Sequence, residues 1–99
     1  MKYVVTWEPL PNASEESEAR SLQVFSNWAP SEGATFLEFL GRVDNRGGFA
    51  VVETDDVSLI AKDTAPFGVW FAFSIYPVLE IADSAAVGAG AVAFRASVA

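Results

Sequence analysis

Neither cysteine nor histidine occurs among the 99 residues of this chain. Without thiols there is no disulfide, no thiolate nucleophile and no zinc–sulfur centre. Without imidazole the chain lacks the usual general base at neutral pH, the commonest transition-metal ligand and the usual haem ligand. No cofactor and no metal site are therefore expected. Positive charge is scarce as well: six Lys and Arg stand against 13 Asp and Glu, a formal net charge of −7. An acidic field of that size repels phosphate backbones and anionic membrane surfaces within a Debye length, so neither nucleic acid nor a membrane is an expected partner. Long hydrophobic runs are missing too. "MKYVVTWEPLPN" is interrupted at Glu8, too early for a signal-peptide core, and "SAAVGAGAVAF" has about half the length a bilayer crossing needs. A cytoplasmic location is the expectation.

What the chain does have is apolar material, 52% of its residues, enough for a single globular domain over 1–99. A domain of this size buries roughly two-thirds of its unfolded surface and has little room for an internal pocket. Any sizeable cavity is expected to need a second subunit.

"KYVVTWE" is β-branched and aromatic and meets Pro9 and Pro11, which reads as a strand over 2–8. Asn12 with Glu15 resembles a capping box, and Ala19, Leu22, Phe25 and Trp28 recur at helical spacing before Pro30. "TFLEFLGRV" (35–43) and "GFAVVE" (48–53) flank the turn-rich "DNRG" and read as a hairpin. "TDDVSLIAKDT" offers Thr54 or Asp55 as N-cap of a second, short helix, and a fourth strand is expected over Val69–Tyr76. Val87, Ala91, Phe94 and Val98 then share one helical face, with Asp83 early and Arg95 late to suit the helix dipole, so a helical tail is expected within 81–99. Gly88 and Gly90 each weaken it by about 1 kcal/mol relative to alanine. The order strand, helix, strand, strand, helix, strand predicts an α+β, ferredoxin-like split βαβ domain: a four-stranded antiparallel sheet, two helices on one face, the other face bare.

The fourth strand, "GVWFAFSIYPVLEI", barely alternates. Val69, Phe71, Phe73 and Ile75 suit packing under the helices, which leaves Trp70, Ala72, Ser74 and Tyr76 on the bare face. In the second strand Phe36 and Leu40 share a face with Glu38 and Arg42. Large rings left in water mark an interface, so a homodimer is expected whose two sheets face each other and enclose a cavity for a small hydrophobic ligand.

"MKYVVTW", "GGFAVVETDD" at 47–56, and "PVLEI" followed by "AFRASV" resemble an uncharacterised bacterial family of about 100 residues, a domain of unknown function within the dimeric α+β barrel group. The resemblance spans nearly the whole chain and implies fold more than function. It also implies a group that includes cofactor-independent monooxygenases, isomerases, cyclases, haem-degrading enzymes and ligand-sensing modules. Members that rely on a pocket histidine have no counterpart here.

The candidate site residues are Glu38, Arg42, Glu53, Trp70 and Tyr76, all as ligand-binding positions; none is assigned as catalytic. With an even hairpin loop, Asp44 pairs with Gly47, which sets Glu38 opposite Glu53 and Arg42 opposite Phe49. Facing carboxylates raise one pKa, as a general acid or base near neutral pH requires. A three-residue loop instead moves Glu53 to the other face. Trp70 and Tyr76 suit stacking on a planar ligand or packing at a dimer interface. Trp28 reads as core, and either face of the first strand, including Trp7, suits burial. Asp55 and Asp56 read as a helix start, "DNRGG" lacks the phosphate-loop pattern, and Ser58 with Lys62 has no recognisable oxyanion site. Two functions follow: a homodimeric small-molecule binding or accessory module, or a cofactor-independent enzyme acting on an aromatic or polyketide-like substrate.

Overall fold

The computed structural model describes residues 1–99. Its strands are β1 (Lys2–Pro9), β2 (Thr35–Gly41), β3 (Gly48–Glu53) and β4 (Phe71–Val78), and its helices α1 (Glu15–Ser26), α2 (Ser58–Thr64) and α3 (Ile81–Ser97), with a 3₁₀ turn at Ala65–Phe67 after α2. The four strands form one antiparallel sheet in the order β2-β3-β1-β4. This α+β arrangement is compatible with a ferredoxin-like fold. Pro77 lies in β4, an edge strand, where its missing N–H costs no inner ladder bond.

The first two helices begin later than the sequence suggested, and side-chain oxygens explain why. Ser14, not Asn12, caps α1: its Oγ accepts from the Ser17 N–H (3.1 Å) and its own N–H donates to the Ser17 Oγ (2.8 Å). Serine here replaces the glutamate of a capping box. At α2 the Thr54 hydroxyl accepts from the Asp56 N–H, and the Asp56 carboxylate accepts from the N–H and hydroxyl of Ser58 (3.0 and 2.6 Å). Two side-chain turns in succession push the helix start to Ser58.

In β1 the inward set is Tyr3, Val5 and Trp7. Val5 is buried opposite Ala50 and Ile75, and Trp7 lies between Gly48 and Phe73. The core is small, with Val5, Ala34, Ala50, Val52 and Ile60 as its centre. Around it rings stack on one another: Trp28 sits 5.7–6.1 Å from Phe25, Phe36, Phe39 and Phe67, centre to centre. Trp28, expected as core, lies two residues beyond α1 and is half-buried, packing on these rings beside the core.

α3 does not join this core. All 17 of its residues are exposed, and it projects from the sheet so that the molecule measures 62 × 30 × 21 Å. Lys2 Nζ donates to Glu80 Oε1 (2.6 Å), fastening the start of α3 to β1.

Candidate functional site

The hairpin register corrects both expected pairings. Arg42 N–H donates to the Gly47 carbonyl, Gly41 lies opposite Gly48, and Leu40 opposite Phe49. Four residues, Val43 to Arg46, make the turn, with Asn45 (φ 59°) and Gly47 (φ 100°) in the left-handed region. A bulge between Phe36 and Glu38 then slips the register by one. Leu37 is the extra residue, and the slip turns both Phe36 and Phe39 toward the helices, their rings 5.1 Å apart. Phe36 therefore does not share a face with Leu40 and Glu38, as unbroken alternation had implied.

Glu38 and Glu53 both fall on the open face, but not opposite each other. Glu38 lies across from Val51, and Glu53 lies between Thr35 and Lys2. The charge beside Glu53 is therefore the Lys2 ammonium, whose pKa is raised first by the hydrogen bond to Glu80, then by the Glu80 charge and least by that of Glu53. Arg42 is not opposite Phe49. Its guanidinium binds the Asp44 carboxylate at 2.5 Å and holds that carboxyl below its ordinary pKa, aided by the Arg46 N–H.

The register lays the open face out in rows. Glu38, Val51, Val4 and Tyr76 form one, and Leu40, Phe49, Thr6 and Ser74 the next. Leu40, Phe49 and Tyr76 are each about half exposed (54%, 47% and 53%), an apolar surface with Glu38 at its β2 edge and Lys2 and Glu53 at one end.

Trp70 is not in this face. β4 begins at Phe71, two residues later than expected, and Val69 and Trp70 lie in the preceding turn, where the Trp70 carbonyl accepts from the Leu10 N–H (2.9 Å). The physical reason is the 3₁₀ turn at Ala65–Phe67: Gly68 and Trp70 N–H groups bond back to Ala65 and Phe67, so the chain is still turning through residue 70. Trp70 and Tyr76 consequently belong to different surfaces.

On the helix side a cavity of about 210 Å³ lies between α1, the end of α2 and the sheet. Its walls are mostly rings, Trp7, Phe25, Trp28, Phe39, Phe67 and Phe73 among them, with Ser21, Asp63 and Thr64 as its polar groups. At Leu22 and Phe71 it adjoins a broader cleft of about 780 Å³, which Trp70, Arg42, Asn12 and Asn45 line. Two of the sequence candidates, Trp70 and Arg42, thus meet here.

Asp63 went unrecognised in the sequence because one acidic residue in a short helix reads as surface. It is buried (5% exposed), and its carboxylate accepts from the Ser31 N–H (3.0 Å to each oxygen) and the Ser31 hydroxyl (2.6 Å). Its carbonyl accepts from Trp28 Nε1 (3.1 Å). The residue locks the α1–β2 loop to α2 and fixes the cavity's largest ring.

A family model for a domain of unknown function, DUF3303, matches residues 1–92. The chain belongs to the DUF3303 family. No curated protein and no solved structure matches it. The family establishes no activity, so function in this DUF3303 domain rests on its own surfaces. No group of three or more carboxylates gathers as a metal site would require, and no helix is long and apolar enough to cross a membrane.

Proposed function

We propose that this DUF3303 domain is a binding module, without chemistry of its own, for a small flat apolar molecule, and that it acts as a homodimer. The observation that carries the reading is the ring-lined cavity of about 210 Å³. An apolar cavity of about 150 Å³ stays dry and accepts benzene, so one of this size suits a one- or two-ring body. Nearly all its exposed lining is apolar, while the adjoining cleft offers Arg42 and Asn45 for a polar end of the ligand. Such a division, an apolar body with a few polar groups at one end, is how small-molecule sites fix orientation.

The open face of the sheet supports the dimer. Leu40 and Phe49 face each other across β2 and β3 in water, and Glu38, Glu53 and Tyr76 border the surface a second copy would meet.

Calorimetric titration with indole and with 2-naphthoate tests the site. One-to-one binding is expected, weakened at least tenfold by Leu22→Trp, which narrows the mouth at a residue already 60% exposed and so spares the fold. Absence of binding by both probes overturns the reading. Sedimentation tests the dimer: twice 10.6 kDa is expected.

A further inference from the structure

We infer that α3 is an intermolecular arm, seated on the open sheet face of a second copy of this chain. The inference rests on the homodimer proposed above and adds which element joins the copies.

Three observations carry it. The first is area. The chain exposes 7165 Å², about 1,700 Å² more than the roughly 5,500 Å² of a folded monomer of its mass. Its radius of gyration, 17.8 Å, likewise exceeds the roughly 13 Å of a compact chain of this length. A standard interface takes about 800 Å² from each partner, so the surplus suffices for an arm given and an arm received.

The second is the helix itself. Isolated helices of this length are marginal in water even when rich in alanine, and α3 carries Gly88 and Gly90 in its interior. Its middle is apolar on both sides: Val87, Ala91 and Phe94 on one, Ala85, Ala89, Ala93 and Ala96 on the other. A helix of that kind is a buried helix. Nothing lies within 4 Å of where a Cβ would stand on either glycine, so their closeness is unused within one chain.

The third is charge. Two copies at −7 repel, but α3 holds one acid, Asp83, and one base, Arg95. Of the two long helices, α1 carries three acids and one base, and the one without net charge is the one that projects. The receiving surface offers apolar area in its two middle rows, at Val4, Leu40, Phe49, Val51 and Tyr76, with Glu38 at the β2 edge of one row, and a twofold axis then gives each copy one arm and one face, closing the assembly. The bulkier Val87–Phe94 side lies on the partner's sheet, and the alanine side meets the second arm.

The test uses the full chain carrying p-benzoylphenylalanine in place of Phe94, made as heavy- and normal-isotope batches, mixed, irradiated and mapped by mass spectrometry. Mixed-isotope cross-links to β1, β3 or β4 open-face residues are expected. Links confined to one isotope, or mixed links to the helix side of the sheet, overturn the inference. A dimer whose α3 forms no links and whose α3 amides exchange freely overturns the arm yet leaves the homodimer standing; a 10.6 kDa particle at all concentrations overturns both. Independently, a V87D/F94D chain is expected to weaken dimerisation at least a hundredfold, and unchanged dimerisation counts against the arm.

Discussion

Asp63 shows how one side chain can hold two loops together. Replacing it with alanine leaves the Ser31 N–H and hydroxyl without acceptors in a buried setting, which costs about 1–3 kcal/mol. Urea unfolding is expected to show that loss for Asp63→Ala and a smaller one for Asp63→Asn, which keeps one acceptor. Gly48 is the second sensitive residue. A Cβ there would stand 2.2 Å from the Leu40 carbonyl oxygen and 2.5 Å from the Trp7 ring, so Gly48→Ala is expected to destabilise by about 1–3 kcal/mol in the same measurement. Trp28 was partly legible: helical spacing aligned it with Phe25, on which its ring stacks, although it lies just beyond the end of α1. Asp63 was not, since its partner lies 32 residues away and nothing local distinguishes a buried acid from a solvated one.

At the scale of elements, β-branched and aromatic runs bounded by proline and glycine located every strand, and β3 agrees to the residue. Register was less accessible. One bulged residue, Leu37, has no sequence signature, yet it decides that Phe36 and Phe39 share a face, while the four-residue turn sets Glu38 opposite Val51 rather than Glu53. The open face can be tested directly: Phe49→Asp places a charge beside Leu40 and is expected to shift sedimentation toward 10.6 kDa. The Lys2–Glu80 pair gives a pH dependence. Its hydrogen bond holds Glu80 below its ordinary pKa of 4.5 and Lys2 above its ordinary 10.5. The contribution from Glu80 is therefore complete above its ordinary value and fades as pH falls through the depressed one. That from Lys2 is complete below 10.5 and fades as pH rises through the raised one. Protection of the first-turn amides of α3, taken relative to their intrinsic exchange rates, is expected to fall in acid, and Glu80→Gln to remove that acid response.

The whole molecule is elongated around a core of few residues. Ten of 99 residues are buried, which is little to hold a chain of this length folded alone. If a second copy binds the native form and not the unfolded one, the melting temperature must climb with protein concentration. Calorimetry over a hundredfold concentration range is expected to show that climb, and a constant value would show a self-sufficient monomer. Composition revealed the surplus of apolar material but not where it sits. Of the rings anticipated on the sheet's bare side, Phe36 lines the helix-side cavity, Trp70 lies in the turn before β4 and Tyr76 stays, while much of the remaining surplus stands on α3.

Only Leu79 and Glu80 separate β4 from α3, and both are held, one by its shortness of chain and the other by Lys2. The rod's heading is thus inherited from the sheet's twist, as a blade takes its angle from the hilt. Inserting a single residue in the first turn of that rod would roll the rest of it by about 100° about its own axis, turning Val87 and Phe94 away from whatever they now address.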